Sequence, residues 1–288
     1  MSDALAAAVG AATGVDVVDA VPARGGDINQ AARMTLADGR RLFVKFRAGA
    51  PPGMYRAEAD GLDWLAAADA VAVPAVVAVG ESGEPRFLAL DWIEPGAPGA
   101  DHGERLGRGL AALHRAGAAQ FGAEADNFIG NLDQFNAPTP SWAGFYSERR
   151  LAPLTQQAIE AGALPADAWA SLERLVARLP ELVGPEEPAA RLHGDLWGGN
   201  AMAGADGRAY LVDPAAYGGH REVDLAMMRL FGGFSATCFA AYEEAWPLAP
   251  GHEDRVALYQ LYPLLVHAVL FGGAYGGSAL RAMRRYAG

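Results

Sequence analysis

A short polar segment in the second half of the chain carries the residue types best suited to chemistry. It reads His193-Gly194-Asp195-Leu196-Trp197-Gly198-Gly199-Asn200. A predicted hairpin with its turn at 205–207 follows, and Asp213 comes directly after its second strand. The five-residue step from Asp195 to Asn200 makes one loop present a carboxylate and an amide towards the same point. The hairpin is expected to return Asp213 beside Asn200.

Each polar side chain of this segment has a distinct predicted role. Hard oxygen ligands from Asn200 and Asp213 suit Mg²⁺, which completes its shell with water and substrate phosphates. Asp195 is then the candidate base that orients an attacking hydroxyl and accepts its proton. His193 is expected to support the loop through hydrogen bonds to backbone. Asp224, in the following helix, is expected to pin the same loop by accepting backbone N–H groups.

The chain contains 23 basic residues, of which one, Lys45, is lysine and 22 are arginine. Such a composition retains a lysine where a compact ammonium is required and a broad planar guanidinium fails, although chance survival is the alternative. Glu58 follows Lys45 by thirteen residues inside a predicted helix and could hold the ammonium in an ion pair. A lysine on a third strand, a helix glutamate, a loop base with a metal-binding Asn, and a metal-binding Asp together form the pattern of ATP-dependent phosphoryl transfer.

Two kinds of element must position these residues. The first 90 residues predict a small antiparallel sheet with one helix after its third strand, and the remainder predicts mainly helices. The fold class is therefore α+β, with a small sheet lobe at 1–93, a larger helical lobe at 94–288 and a hinge at about 90–96. Interdomain clefts are common ligand sites. Beyond a helix at 2–13, strands are predicted at 15–21, 30–36, 41–46, 71–79 and 87–92, and helices at 55–68, 101–117, 141–162, 166–182, 222–231, 235–246 and 253–275.

Composition narrows the class of protein. With 288 residues, 51% of them hydrophobic, the chain can bury a large core and is not disordered. A net charge of −11 argues against nucleic-acid or anionic-membrane partners. No apolar run reaches the roughly 20 residues that cross a bilayer. The single cysteine fits a reducing cytoplasm, and a monomer is favoured.

The sequence resembles the fructosamine kinase (ketosamine-3-kinase) family, whose bilobal fold is like that of aminoglycoside phosphotransferases and protein kinases. The tryptophan inside His-Gly-Asp-Leu-Trp is the most telling match. The resemblance covers almost the whole chain, through segments 25–29, 43–45, 57–62, 126–130, 193–200, 213–215, 221–227, 230–234, 246–248, 258–262 and 270–273.

The resemblance implies ATP-dependent phosphorylation of the sugar 3-hydroxyl of ketosamines, free or protein-bound, with Mg²⁺. By position, Asp195 would be the base and Asn200 with Asp213 the metal ligands. Trp197 and Tyr217 would face the acceptor. ATP would be bound by Lys45, by Glu58, by the turn Gly25, Gly26 and Asp27, and by the hinge residues Leu90, Asp91, Trp92 and Ile93, which touch adenine through their backbone.

Two departures from the family pattern concern the acceptor. Gly218 follows Tyr217 where an aromatic residue is common, so the acceptor pocket could be wider here. Val266 stands where many members carry asparagine. A kinase of another small acceptor, such as an aminoglycoside, choline or a plain sugar, therefore remains an alternative. A silent pseudokinase is less compatible with the retained base, and a two-metal phosphohydrolase lacks sufficient ligands.

Overall fold

The computed structural model describes residues 3–23 and 29–288. The chain divides into two compact units, Met1–His102 with Ala201–Pro214 and Gly103–Asn200 with Ala215–Gly288. In chain order the elements are α1 (Asp3–Thr13), β1 (Val17–Ala23), β2 (Gln30–Leu36), β3 (Arg41–Arg47), α2 (Met54–Ala66), β4 (Val76–Gly80), β5 (Arg86–Asp91), α3 (His102–Ala116), β6 (Asn127–Ile129), β7 (Leu132–Gln134), α4 (Trp142–Phe145), a π-helical segment (Tyr146–Leu151), α5 (Ala152–Glu160), α6 (Ala168–Leu182), β8 (Ala190–Leu192), a 3₁₀ turn (Gly198–Asn200), β9 (Ala201–Ala203), β10 (Ala209–Leu211), β11 (Tyr217–Gly219), α7 (Glu222–Phe231), α8 (Ala236–Ala245), α9 (His252–Tyr259), α10 (Leu261–Phe271) and α11 (Ala274–Ala287).

The first unit contains a five-stranded sheet of order β1-β2-β3-β5-β4. All four neighbouring pairs are antiparallel. The tight β2–β3 turn is stabilised by Asp38, whose carboxylate accepts the backbone N–H of Arg40 at 3.0 Å. The predicted α+β class, with its small antiparallel sheet, is confirmed.

The two faces of this sheet bury different side chains. On one face, α1 packs Leu5 and Val9 against the strand residues Met34 and Val44. Successive side chains of a strand point to opposite faces, so Lys45 lies on the other face from Val44. Helix α2 buries one face along successive turns, comprising Met54, Tyr55, Glu58, Ala59, Leu62 and Leu65.

The hairpin β9–β10 belongs to the first unit, although the sequence analysis placed it in the helical lobe. Main-chain hydrogen bonds explain the difference. Gly96 N donates to Ala203 O at 2.8 Å, and Ala205 N donates to Glu94 O at 2.7 Å. The unit accordingly continues past residue 93, where the predicted boundary lies, to His102.

The second unit is mainly helical, as predicted, but its C-terminal part differs from the prediction. One helix was expected over 253–275, whereas the structure has α9, α10 and α11. Pro263 has no N–H to continue the ladder from α9, and Gly272 and Gly273 both adopt a φ of 64°. The breaks at 260 and 272–273 follow from these residues.

Candidate active site

Lys45 lies in a buried ion-pair cluster of the first unit. Its Nζ is 2.8 Å from both carboxylate oxygens of Glu58 and 2.6 Å from Oδ1 of Asp213. Lys45 is 4% exposed and Glu58 is 9% exposed, whereas the Asp213 side chain is 43% exposed. The structure therefore brings together three of the residues singled out from the sequence, and one of the two carboxylates faces solvent.

The charges in this cluster are strongly coupled. Burial opposes the charge of Lys45, but the carboxylates of Asp213 and Glu58 outweigh it and hold the pKa of Lys45 above its ordinary value. Burial and the negative charge of Asp213 both raise the pKa of Glu58, and the Lys45 ammonium lowers it. The net result is a pKa of about 7. Lys45 thus stays a cation, shared between two acidic groups.

Asp213 adopts an uncommon backbone conformation. Its φ is 56°, in the left-handed region that residues other than glycine rarely occupy. Such strain is often found at functional sites. It accompanies the contact of this carboxylate with Lys45.

The loop that carries Asp195, in the second unit, is held by the buried carboxylate of Asp224. Asp224 is fully buried, and its carboxylate accepts the backbone N–H of His193 at 2.8 Å and that of Gly194 at 2.9 Å. Asp195 N in turn donates to Nδ1 of His193 at 3.3 Å. These contacts place His193 and Asp224 as supports of the loop.

Gly194 cannot be replaced without disturbing this loop. Its φ is 84°, and a Cβ built there would lie 2.0 Å from the carbonyl oxygen of Ala215. Only glycine combines this conformation with so close a backbone approach. The residue before the candidate base is therefore fixed by backbone geometry.

Asn200 is oriented by the same loop. Its Nδ2 donates to Asp195 O at 2.9 Å and to Asp195 Oδ2 at 3.2 Å, and the residue is 6% exposed. The amide nitrogen therefore faces Asp195, and the amide oxygen is the atom of this side chain with the chemistry of a metal ligand. An amide oxygen, such as that of Asn200, and a partly exposed carboxylate, such as that of Asp213 in the first unit, are each hard donors of the type that Mg²⁺ prefers.

Two residues that sequence reasoning missed complete the support of Asp224. His114 Nε2 lies 3.1 Å from Asp224 Oδ2, and His114 Nδ1 lies 2.8 Å from the Tyr242 hydroxyl. Burial works to raise the pKa of Asp224, but hydrogen bonding and charge from His114, with further contributions from the loop, hold it below its ordinary value. His114 falls in the apolar stripe of α3, beside Leu110 and Leu113, and this pattern could have indicated a buried partner.

Asp195 borders a small pocket in the second unit that is lined mainly by apolar side chains. Val266, one of the two departures from the family pattern, is in its wall. Apart from Asp195, the remaining wall residues had no role predicted from the sequence. The complete lining is Ile129, Gly194, Asp195, Val223, Met227, Tyr262, Pro263, Val266 and His267.

The two aromatic residues expected to face the acceptor differ in their exposure to solvent. Trp197 is 40% exposed, and its ring meets Phe231 edge-on at 6.5 Å. Tyr217 is 1% exposed and lies in the core, with the Arg150 guanidinium 3.9 Å from its ring centroid and Phe145 stacked at 5.7 Å. The expectation that Tyr217 touches the acceptor is therefore wrong, because this side chain is enclosed in the core of the second unit.

Gly218 is not among the residues that line the pocket beside Asp195. It exchanges two main-chain hydrogen bonds with Gly122, at 2.8 and 2.9 Å. A Cβ at Gly218 would lie 2.1 Å from the carbonyl oxygen of Gln120. The small residue allows backbone packing at this position.

The expected adenine hinge comprises the last two residues of β5 and the two residues after it, in the first unit. Leu90 is buried and pairs with Phe43, and Asp91 pairs with Leu42. Trp92 N donates to Arg41 O at 3.0 Å. Ile93, the last of the four, is partly exposed. The expected phosphate-covering residues Gly25, Gly26 and Asp27 lie outside the described residues.

The architecture is that of the kinase-like phosphotransferases. An aminoglycoside phosphotransferase solved as a thermostable mutant superposes with a TM-score of 0.64 over 97% of this chain and 98% of its own, and at 16% identity this likeness shows the fold alone. The chain belongs to the fructosamine kinase family, whose model matches residues 1–287. The enzyme is accordingly a phosphotransferase with an alcohol group as acceptor.

Closer relatives agree with this assignment. A probable ketoamine kinase of Synechocystis sp. is 41% identical over 265 residues, which cover 91% of this chain and 88% of that protein. A solved structure from Thermobifida fusca YX-ER1 that carries the fructosamine-3-kinase name is 41% identical, with a TM-score of 0.90 over 100% of this chain and 99% of its own. In the described part of the chain, no helix has the length and apolar character needed to span a membrane.

Proposed function

We propose that this enzyme transfers the γ-phosphoryl group of ATP to the sugar 3-hydroxyl of ketosamines, free or attached to proteins. The observation that carries the proposal is the buried Lys45, which is held within 2.8 Å of Glu58 and 2.6 Å of Asp213. A kinase needs such a fixed cation for nucleotide phosphates. The ketosamine acceptor is supported by the family and by the names of the relatives.

Lys45 and the first unit would bind the nucleotide. The Lys45 ammonium would contact the α- and β-phosphates while Glu58 holds it in place. Backbone groups of residues 90–93 would bind adenine, and the turn at 25–27 would cover the phosphates. An aminoglycoside phosphotransferase of this fold has been solved with ADP and hygromycin B.

Asn200, through its amide oxygen, and Asp213, through its carboxylate, would hold Mg²⁺. The ion, when bound, would neutralise negative charge on the phosphates. The Asn200 amide N–H₂ donates to the carbonyl oxygen of Asp195 at 2.9 Å and to its Oδ2 at 3.2 Å, so these contacts would orient the base and the metal ligand together.

Asp195 would accept the proton of the sugar 3-hydroxyl. The sugar oxygen forms its bond to the γ-phosphorus as the bond to the β–γ bridging oxygen breaks, and ADP leaves. The exposed face of Trp197 would lie against the C–H groups of the sugar. In the cytoplasm, this reaction would begin the repair of glycated amines.

A coupled ADP-release assay tests the proposal. The acceptors are ribulosyl-, erythrulosyl- and fructosyl-lysine, run beside kanamycin and choline. ADP release that depends on a ketosamine is expected. Turnover of kanamycin or choline with none of the three ketosamines would contradict the acceptor assignment. Nucleotide binding without turnover of any acceptor would indicate a pseudokinase.

A further inference from the structure

A group of aromatic rings continues from the Asp195 pocket to the surface of the second unit. We call it the aromatic cluster, and its members are Trp197, Phe231, His267, Phe271 and Tyr275. The centroid of the Phe231 ring lies 6.5 Å from that of Trp197 and 4.5 Å from that of His267. The His267 ring centroid lies 5.4 Å from that of Phe271 and 5.1 Å from that of Tyr275. Phe271 is 53% exposed, so the cluster offers ring surface to a ligand.

The aromatic cluster is continuous with the proposed reaction centre. His267 lines the same pocket as Asp195. Trp197 lies two residues after Asp195 on the same loop, and Gly198 next to it packs so closely on Gly233 that a Cβ would lie 2.9 Å from the Cα of Gly233. A molecule whose hydroxyl reaches Asp195 therefore has an aromatic surface beside it.

Two helices end at the aromatic cluster. Helix α7 ends at Phe231 and α10 ends at Phe271, and each is followed by a glycine pair with positive φ. The C-terminal end of a helix carries partial negative charge, which favours a cation. Helix α10 contains no Asp, Glu, Lys or Arg among its eleven residues.

Burial favours the uncharged form of His267, the imidazole of the cluster. His267 Nδ1 lies 2.8 Å from the carbonyl oxygen of Pro263, which fixes the ring, and burial lowers the pKa of His267. The neutral imidazole does not repel a positive ligand. Arg229, the charged residue in the last turn of α7, packs on Phe239 at 4.7 Å.

We propose that the aromatic cluster binds the amino end of the acceptor, as a protonated secondary amine held over ring faces and helix C-termini. The inference rests on the proposed function, which supplies a sugar hydroxyl at Asp195. Cations bind the faces of aromatic rings without any need for a carboxylate partner. The aromatic cluster would thereby distinguish a ketosamine from a plain ketose.

Phe271→Leu tests this subsite, with Phe135→Leu as the matched control. Phe135 is an exposed phenylalanine of the same unit that lies outside the aromatic cluster. The acceptors are a fructosyl-alkylamine and the ether in which oxygen replaces its amine nitrogen. Steady-state kinetics with ATP give kcat and KM, and calorimetry gives the Kd of each acceptor without turnover.

For the amine acceptor, Phe271→Leu is expected to raise KM and Kd about five-fold at unchanged kcat, the scale of one partly exposed cation–π contact. The ether should change less than two-fold, and the Phe135→Leu variant should match wild type. Equal losses for amine and ether, or no loss for either, would overturn the subsite. A preserved amine preference in Kd without any turnover would instead overturn the proposed function.

Discussion

The single lysine lies where three charges meet, and its size suits that place. The ammonium nitrogen is within 2.8 Å of Glu58 and 2.6 Å of Asp213 while 4% of the residue is exposed. A guanidinium is wider and planar, so it would displace one of the carboxylates. We infer that this geometry is the reason for one lysine among 22 arginines.

Lys45→Arg should therefore impair the enzyme although it conserves the charge. We expect kcat/KM for ATP to fall about 100-fold, the scale found when one fixed charge-stabilising donor is removed. Steady-state kinetics with ATP as the varied substrate measure this loss. Circular dichroism establishes that the variant is folded.

Arg40→Lys is the control for this substitution. Arg40 is exposed in the turn before β3 and pairs with Asp38, so kcat/KM should stay within about two-fold of wild type. Wild-type kinetics in a folded Lys45→Arg enzyme would show that the lysine is incidental.

Individual site residues differed in how readily the sequence revealed them. The pairing of Lys45 with Glu58 followed from one exceptional residue and a local separation of thirteen positions. His114 was missed because its partner Asp224 is 110 residues away, and only the fold brings them together. Tyr217 was misassigned because the resemblance that suggested its role does not show that its side chain is buried in the core.

At the scale of elements, α7 holds the loop of the candidate base. Asp224 lies in the first turn of α7 and accepts two successive loop N–H groups. Hydrogen bonds from two donors to one buried carboxylate restrict the loop to one conformation. The position of Asp195 thus depends on a helix that begins 27 residues later.

Asp224→Asn should damage both stability and rate. The amide retains one acceptor oxygen and adds an N–H₂ group that faces a backbone donor, at a cost of about 1–3 kcal/mol in the free energy of unfolding. We expect kcat to fall at least about ten-fold while KM for ATP stays near wild type. Urea unfolding and steady-state kinetics measure the two effects.

The control for this variant is Asp133→Asn, at an exposed position of the same unit. It should match wild type in both measurements. An Asp224→Asn enzyme with unchanged kcat would show that the loop does not need this anchor.

Helix boundaries were predictable where glycine or an N-cap marks them. Ser235 caps α8 by accepting the N–H of Cys238 at 3.2 Å, and the predicted helix begins there. The break between α9 and α10 was not predicted because the apolar pattern runs through it. The periodicity of apolar residues indicates which face of a segment is buried. A proline that removes one backbone hydrogen bond breaks the helix without changing this periodicity.

At the scale of the whole molecule, the first unit is not one continuous stretch of the chain. Residues 201–214 join the first unit because their backbone bonds to residues 72, 94 and 96. Such main-chain pairings involve no characteristic side chain, so a sequence reading cannot detect them. The α+β class was predictable because strand patterns dominate the first 90 residues and helix patterns dominate the rest.

Acid stability should depend on the buried His220. It is 3% exposed and stacks on Tyr259 at 5.2 Å. Burial lowers the pKa of His220 to about 4, with the charges of Arg221 and Arg255 adding to the effect. His220 therefore binds a proton more readily in the unfolded chain than in the folded one. Its contribution to the free energy of unfolding is present above about pH 6.5 and is lost as the pH falls towards 4.

His220→Phe should remove this part of the pH dependence. Between pH 7 and pH 5, the free energy of unfolding should decrease by about 2 kcal/mol less in the variant than in wild type. Urea unfolding at the two pH values gives the difference. Parallel losses in the two proteins would contradict the assignment.

The position of the transferred phosphate tests the central claim most directly. Wild-type enzyme, ATP, Mg²⁺ and a fructosyl- or ribulosyl-lysine are incubated, and the product is examined by phosphorus–carbon NMR correlation. We predict a single phosphate on the sugar O3, formed by the wild type and not by Asp195→Asn. A phosphate on another oxygen, or equal product from the Asp195→Asn enzyme, would contradict the account.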